Sequence, residues 1–178
     1  SNLFEGIHIL VEKSVKVGDF IRLETGHEGY VEDITWRTTR IRMLQNNMVI
    51  IPNNKLSQSV VTNYNLPEKR MALSIPISVS YSAEPDLIER IVVEEAKGAV
   101  GEVAGLLGEP EPVVRFIPGF GESSLDFTLV CHIREFTDNA SVQHELRKRV
   151  FKRFKKEGIE MPFPHRVVYV REDKGHKE

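Results

Sequence analysis

Cysteine is nearly absent from this sequence, since Cys131 is the only one among 178 residues. One thiol cannot build a disulfide framework or a cysteine-ligated zinc site within a single chain. Cys131 stands in a series of alternating apolar residues, which favours a buried, inert thiol over a reactive one. The scarcity of cysteine is consistent with a protein that works in the cytoplasm.

The sequence also lacks a long hydrophobic run and a strong net charge. No stretch approaches the ~20 consecutive apolar residues that a membrane-spanning helix needs, and the first residues show no secretory signal pattern. The formal net charge is -2, so the chain as a whole is not built to bind polyanions. Hydrophobic residues at 40% and charged residues at 28% are ordinary for a folded globular chain. The length allows one domain or two small ones.

Motifs for catalysis and metal binding are missing as well. The six histidines include no i,i+4 pair and no HExxH motif, so we expect no metal site. The glycine-rich segment 119–123 does not open a helix, and Glu122 would repel a phosphate group, so a turn between strands is the better interpretation. We therefore expect a protein with no enzymatic activity and no cofactor.

The first third of the chain changes its hydrophobic pattern once. Leu3, Phe4 and Ile7 begin an apolar series at helical spacing, which predicts a short amphipathic helix over residues 3–13. Residues 17–66 instead contain short apolar runs separated by glycine and asparagine. This pattern predicts several short strands in a small, strongly bent β-sheet or barrel.

The rest of the chain, residues 67–164, alternates strand and helix patterns. Pro76 lies within the long predicted strand Met71–Val79 and cannot donate a backbone hydrogen bond, so this strand should be at a sheet edge or carry a bulge. The order β-α-β-β-α-β is typical of the ferredoxin-like fold. The remaining predicted features are a helix capped by Ser82, a break or a second short helix at Gly98–Gly108, a strand Val113–Ile117, a turn at Gly119–Gly121, a strand Leu125–Ile133, a helix from Asp138 or Asn139 to Gly158, and a strand Val167–Val170.

The last predicted helix has a strongly basic stretch, Arg147–Lys156. We interpret it as a solvated helix face; a surface for nucleic acid or anionic lipid is the alternative. Phe151 and Phe154 are expected to pack inward, which leaves no aromatic side chains among the basic ones on the polar face. Trp36 is expected either in a core or in a contact between subunits.

Four motifs follow one another along the chain: VGDFI, then G-x-V with R-T-T-x-I-R, then IIPNN, then GIEMPFP. In this order and spacing they resemble the cytoplasmic region of the small-conductance mechanosensitive channel (MscS) family. The resemblance covers nearly the whole chain and implies membrane-spanning helices before residue 3. It implies an α+β protein with four parts, namely the end of a pore-lining helix with its connector (1–16), an Sm-like β domain (17–66), a ferredoxin-like domain (67–164), and a C-terminal strand with a charged tail (165–178).

The resemblance gives a meaning to the apolar run that stops at Pro52. Proline has no N–H, so Pro52 would end one strand of the Sm-like sheet. Residues 53–57 would form a helical turn, and residues 60–64 would pair at the sheet edge beside a neighbouring copy of the chain. The predicted subunit-interface motif is therefore Pro52, Asn53, Asn54, Val60 and Val61.

The resemblance also implies a function. Copies of the chain would form a ring, by analogy a homoheptamer, whose lower domains enclose a chamber that ions cross during osmotic-stress release. Leu3, Phe4, Gly6 and Ile7 would lie near the pore. The whole protein would reside in the cell membrane, with this portion in the cytoplasm.

An RNA-binding module built from Sm-like and ferredoxin-like domains is the alternative function. A ferredoxin-like RNA-binding sheet presents exposed aromatic residues on its strands. Phe127 instead shares a strand face with Leu125 and Leu129, which predicts a buried side chain. We therefore expect no nucleic-acid partner.

Overall fold

The structure is a computed structural model that describes residues 14–172. The predicted helix over residues 3–13, with the pore-proximal candidates Leu3, Phe4, Gly6 and Ile7, lies outside the described residues. Within the described part, no helix combines the length and hydropathy that crossing a bilayer requires.

Five short strands form a first sheet in the order β4-β3-β2-β1-β5, and all neighbouring pairs are antiparallel. A register shift between Val31 and Asp33 marks a bulge, which increases the local twist of the sheet. The predicted small, bent sheet is therefore present. Its elements are β1 (Phe20–Leu23), β2 (Glu28–Ile34), β3 (Thr38–Arg42), β4 (Met48–Pro52), α1 (Asn53–Gln58) and β5 (Val61–Asn63).

Gly29 allows β2 to approach β3 closely. A Cβ atom built on Gly29 would lie 2.7 Å from the carbonyl carbon of Arg42 and 2.9 Å from Cγ2 of Ile41. Neither neighbour can move away, because one is backbone and the other is fully buried. A side chain at this position would therefore separate the two strands.

We expect Gly29→Ala to lower the free energy of unfolding by about 1–3 kcal/mol, the usual cost of overpacking. Gly98→Ala is the matched control, because Gly98 lies inside a helix and a Cβ there meets nothing within 4 Å. That substitution should stabilise the chain by about 0.5–1 kcal/mol. Urea unfolding followed by circular dichroism measures both; equal midpoints for the two variants would contradict the prediction.

A second sheet is centred on one long strand, which pairs with β6 on one side and with β7 and β8 on the other. The edge position that Pro76 predicted for β6 is therefore correct. Two helices cover one face, and the α+β class predicted for this half holds. The elements are β6 (Met71–Val79), α2 (Pro85–Ala99), β7 (Leu106–Leu107), β8 (Val113–Phe120), β9 (Leu125–Ile133), a 3-10 helix (Phe136–Asp138) and α3 (Asn139–Glu157).

Apolar side chains from the second sheet and from both helices form the larger core. Val142, Leu146, Val150 and Phe154 are spaced along one face of α3 and are all buried. Gly158 ends this helix in a left-handed conformation at φ 69°, as its position in the sequence predicts. The buried residues of α2 are Ile88, Ile91, Val92, Ala96 and Ala99.

Three predictions about local structure in this half are wrong. Glu84, not Ser82, caps α2, because its side chain accepts a hydrogen bond from the backbone N–H of Asp86. The glycine-rich segment after α2 contains the short strand β7 rather than only a break or a helix. Strand β8 continues to Phe120, so the turn begins at Gly121, whose N–H donates to the carbonyl of Ser124.

Two further predictions, both near the C-terminus, are also wrong for the single chain. Residues 167–170 are extended but form no strand, and their side chains are 75–88% exposed. A strand needs a partner, and none lies beside this segment among residues 14–172. Phe151, which we expected to pack inward, is 48% exposed because it lies on the outer side of α3, whereas Phe154 is buried as predicted.

Ion pairs join the outer faces of α2 and α3. Arg153 on α3 contacts Glu94 at 2.9 Å and Glu95 at 3.1 Å, both on α2, and Glu157 at 2.9 Å on its own helix. The hydrogen bond from Arg153 holds the pKa of Glu94 below its usual range. Glu94 therefore stabilises the folded state at pH values above its ordinary pKa. This contribution is lost as the pH falls through the lowered pKa that Glu94 has in the folded state.

We expect Arg153→Met to lower the urea midpoint at about pH 7, and we expect the difference from the wild type to shrink as the pH falls through the lowered pKa of Glu94. Arg90→Met is the control, because Arg90 is 62% exposed and makes one longer contact of 3.5 Å with Glu94. A deficit of Arg153→Met that stays constant with pH would show that packing, and not charge, explains the effect.

An aromatic cluster joins the two sheets. The ring of Phe136 stacks on Tyr64 at 4.0 Å and on Phe20 at 5.0 Å between centroids. The hydroxyl of Tyr30 donates to Oγ1 of Thr137 at 3.1 Å. The segment that leads into α3 is thereby packed against the first sheet, although nothing in the sequence pattern had indicated this contact.

Candidate subunit interface

Strand β4 has a free edge, and the hydrogen-bond pattern shows which of its backbone groups point toward that edge. Met43 N–H donates to the carbonyl of Asn47, and Asn53 N–H donates to the carbonyl of Arg37. Because hydrogen-bonded pairs alternate along an antiparallel ladder, the odd-numbered residues of β4 face β3. The N–H and C=O groups of Met48 and Ile50 therefore point to the free edge. This edge ends at Pro52, which has no N–H to leave unpaired.

Strand β5 ends the sheet on the opposite side. Glu24 N–H donates to the carbonyl of Val60, and Tyr64 N–H donates to the carbonyl of Phe20. The even-numbered residues of β5 thus face β1, so the N–H and C=O of Val61 and the N–H of Asn63 point outward, while the C=O of Asn63 accepts from Leu66 N–H at 3.3 Å. Among the described residues, neither β4 nor β5 has a strand on its outer side. Both edges therefore offer backbone donors and acceptors.

The edge strand β6 of the second sheet differs, because its outer side is covered. Ser80 N–H donates to the carbonyl of Glu160, so the even-numbered residues of β6 face outward. Pro76 has no N–H, and its carbonyl accepts a hydrogen bond from Arg147 at 3.2 Å. An edge blocked in this way resists strand addition. Within the described part of the chain, strands β4 and β5 carry no such block along Met48–Ile50 or at Val61.

The Pro52-Asn53-Asn54 segment lies between β4 and α1 and includes one fully buried polar side chain. Asn53 is fully buried; its Nδ2 donates to the carbonyl of Thr35 at 2.8 Å, and its Oδ1 accepts from the hydroxyl of Thr39 at 2.8 Å. Asn53 thus ties the start of α1 to the turn between β2 and β3. Asn54 differs, since its buried Oδ1 has no hydrogen-bond partner among residues 14–172.

Exposed apolar side chains accompany the two free edges. Val60 is 71% exposed, Ile50 is 58% exposed and Met48 is 42% exposed. Val61 is half-buried. Trp36, expected in a core or a subunit contact, is 63% exposed in the turn between β2 and β3. The core position is therefore wrong for Trp36, and the subunit contact stays a prediction.

A second polar cluster, which sequence reasoning missed, surrounds Asp19. This side chain is only 1% exposed, and its Oδ2 accepts hydrogen bonds from the N–H of Lys16 at 3.0 Å and from Nδ2 of Asn63 at 2.8 Å. Asn63 Nδ2 also donates to the carbonyl of Ser14 at 2.9 Å. The VGD motif, which places a carboxylate directly before an apolar strand, was the available signal.

The features that suggested other chemistry have structural explanations. Burial raises the pKa of the Cys131 thiol to about 11, so the thiol stays protonated. Within the basic stretch of α3, Arg149 pairs with Glu102 and Arg153 with Glu94 and Glu95. Among residues 14–172, no group of three or more histidine, cysteine or carboxylate side chains could hold a metal ion.

Family models match both halves of the chain. The model described as the mechanosensitive ion channel β-domain matches residues 1–66, and the model of the MscS C-terminal region matches residues 73–161. The large-conductance mechanosensitive channel MscMJLR of Methanocaldococcus jannaschii is 31% identical over 97% of this chain, which spans 48% of that relative. The small-conductance channel MscMJ of the same organism is 30% identical, with the same two coverages of 97% and 48%.

A solved structure has the same fold. The closed-state crystal structure of Helicobacter pylori MscS superimposes with a TM-score of 0.80 and 22% identity, over 97% of this chain and 65% of that one. The Sm-like sheet and the ferredoxin-like domain are thus those of mechanosensitive channel subunits. The chain belongs to the MscS family of mechanosensitive ion channels. It spans about half the length of the curated relatives that it matches.

Family membership decides two of the functional expectations. The family consists of ion channels, so the expectation of a protein without enzymatic activity is confirmed. Neither the matched domains nor these relatives support the RNA-binding alternative.

Proposed function

We propose that this chain is the cytoplasmic, vestibule-forming portion of a mechanosensitive ion channel, and that it assembles into a ring through its first sheet. The observation that carries the assembly is the pair of free edges, on β4 and on β5, at opposite ends of one five-stranded sheet. A head-to-tail contact between two different edges rotates each copy by a fixed angle relative to the one before it. The copies close into a ring when a whole number of these rotations makes a full turn. Every exposed edge then finds a partner.

The contact joins β4 of one copy to β5 of the next. Met48 and Ile50 on one edge, and Val61 and Asn63 on the other, supply the backbone groups. Val60 covers the contact with apolar surface, while Pro52, Asn53 and Asn54 set where β4 ends. Seven copies would form the ring, by analogy with the family. The ring would stand below membrane-spanning helices, with Leu3, Phe4, Gly6 and Ile7 near the pore.

The domains have separate tasks in this proposal. Residues 1–16 end the pore-lining helix and connect it to the β domain of residues 17–66, which builds the ring. Residues 67–164 form the wall of a chamber that ions cross before they reach the pore. Residues 165–178 continue the chain; their exposed apolar stretch, residues 167–170, would pair with the same segment of other copies. Membrane tension would favour the state that occupies more membrane area.

Proline on the free edge of β4 tests the assembly. We expect Ile50→Pro in the full-length protein to yield smaller particles than the wild type, because it removes one outward N–H at every contact of the ring. Each lost hydrogen bond is worth about 0.5–1.5 kcal/mol. Light scattering of the detergent-solubilised protein measures particle mass.

Ser74→Pro is the matched control, because it removes an outward N–H from β6, an edge that Pro76 and its contact with Arg147 already interrupt. We expect this variant to keep the wild-type mass. If Ile50→Pro and Ser74→Pro both form particles of wild-type mass, the proposed contact is wrong.

Patch recordings of the full-length wild type in liposomes test the channel activity itself, and a protein that stays silent under membrane tension would refute it.

A further inference from the structure

One side chain ties the connector before β1 to the far edge of the first sheet. Asn63 lies on β5, and its Nδ2 donates both to the carbonyl of Ser14 at 2.9 Å and to Oδ2 of Asp19 at 2.8 Å. These two bonds use both hydrogens of the amide. Asp19 Oδ2 also accepts the N–H of Lys16 at 3.0 Å. The connector is thus held at three positions within six residues by a single amide–carboxylate pair.

The orientation of this amide is fixed by its other end. Asn63 Oδ1 accepts a hydrogen bond from the N–H of Asn65 at 2.9 Å, and Asn65 Oδ1 accepts from the N–H of Phe20 at 3.1 Å. An amide turned by 180° would face the Asp19 carboxylate with its oxygen and would lose the bond to Ser14. Burial adds to the constraint, since Asp19 is 1% exposed and an unpaired buried carboxylate is costly.

The backbone of the same residue belongs to the free edge of β5. Because Tyr64 N–H pairs with β1, the N–H of Asn63 points away from the sheet, where the next copy of the ring would pair, while its C=O accepts a hydrogen bond from Leu66 N–H at 3.3 Å. Asn63 therefore has its side chain on the connector and its backbone on the edge. If the connector moves, Asn63 moves with it, and the edge contact made by the backbone of Asn63 changes as well.

We propose that Asn63 and Asp19 are positioning residues that couple the ring contact at β5 to the part of the chain that precedes the connector, and thereby influence the balance between the closed and open states. Neither residue would touch the permeating ions. The inference rests on the proposed function, because it requires a ring and a gated pore. A physical claim of coupling needs an element that both sites bias, and here that element is the connector of residues 14–19.

Asn63→Ala in the full-length channel, reconstituted in liposomes, tests this coupling. We expect the open–closed equilibrium at fixed tension to shift by about fivefold or more, the lower end of typical coupling between two sites. The unit conductance and the particle mass should stay unchanged, because the pore lining and the backbone edge are kept. Thr62→Ala is the control on the same strand, since its side chain is exposed and its backbone faces β1.

Two further variants separate coupling from loss of stability. Ile41→Val trims the buried core that Ile41 shares with Val15 but keeps every hydrogen bond of Asn63 and Asp19, and should leave the equilibrium unchanged. In the double variant Asp19→Asn with Asn63→Asp, the amide and the carboxylate exchange places. Their mutual hydrogen bond can return, but the Ser14 carbonyl loses its donor and the Lys16 N–H loses its acceptor, because one oxygen of Asp19 serves both Lys16 and Asn63. The shift should therefore be smaller than in Asn63→Ala but should not vanish.

The outcomes divide cleanly. A silent wild type would refute the proposed function. If the wild type opens and closes under tension, the coupling is overturned when Asn63→Ala gates like Thr62→Ala, or when Ile41→Val shifts the open–closed equilibrium as much as Asn63→Ala does. It is also overturned if Asn63→Ala destroys the ring, because the residue would then act on assembly alone. A shift confined to Asn63→Ala and partly reversed in the exchange variant would support it.

Discussion

Replacing Phe127 by alanine should lower the free energy of unfolding by about 3–5 kcal/mol, the range for large-to-small substitutions of buried aromatic residues. Phe127 lies in the middle of β9, the strand that pairs with all the others in the second sheet, and is 1% exposed. Its ring contacts that of Phe116 with 4.7 Å between centroids. The cavity cannot close by a rotamer change, because the surrounding strands and helices are fixed by their own packing. Urea unfolding of the chain measures the loss.

Phe120→Ala is the matched control in the neighbouring strand. Phe120 is 81% exposed although it has the same side chain, so its loss should change the free energy of unfolding by no more than about 0.5 kcal/mol. The comparison also bears on the RNA-binding alternative, which would need Phe127 accessible on the sheet surface. Similar losses for both variants would mean that Phe127 is not the centre of the core.

Asn53→Ala should lower the free energy of unfolding by about 2–4 kcal/mol, because it leaves buried polar groups without partners. The Thr35 carbonyl loses the donor at 2.8 Å, and the Thr39 hydroxyl loses its acceptor at 2.8 Å. Thr39 and Asn53 are both fully buried, so water cannot replace the lost bonds without opening the sheet. Thermal or urea unfolding of the chain gives the size of the effect.

The double variant Thr39→Val with Asn53→Ala tests the explanation. Valine removes the orphaned hydroxyl, so the double variant should be more stable than Asn53→Ala alone. Asn47→Ala, in the exposed turn before β4, should be close to the wild type. If the double variant is instead the sum of two separate losses, the pair contributes through packing and not through its hydrogen bond.

The free edges give a chain with an ordinary composition the means to form the proposed assembly. Most edge strands of folded proteins are covered or interrupted, and β6 shows both devices in Pro76 and in the contact from Arg147. The edges of β4 and β5 show neither along Met48–Ile50 or at Val61. Strand β6 is thus protected at one edge of the second sheet, while β4 and β5 of the first sheet remain able to pair. This contrast motivates the proposal that assembly runs through the first sheet.

Local pattern sufficed where burial follows a regular period. Leu125, Phe127, Leu129, Cys131 and Ile133 alternate without exception, and all five are buried on one face of β9. The stop at Pro52 likewise depends only on chemistry within a few residues, since proline cannot extend the pairing. The hydrophobic pattern gave the wrong burial for Phe151, because an apolar residue at the margin of a helical face can point toward the core or toward solvent. The cap predicted at Ser82 is wrong because several residues near a helix start can act as caps.

The amino-acid order by itself determined the type of most elements and the segment where β4 ends, because each of these depends on hydrophobic period, proline or glycine within a short stretch of chain. Only the tertiary structure decided which edges stay open and which side chains join distant segments. Asn63 lies 49 residues from Ser14, and Phe136 lies far along the chain from Tyr64, yet each pair is in contact. Such contacts arise when sheets close and domains pack, and no periodicity of the sequence encodes them locally.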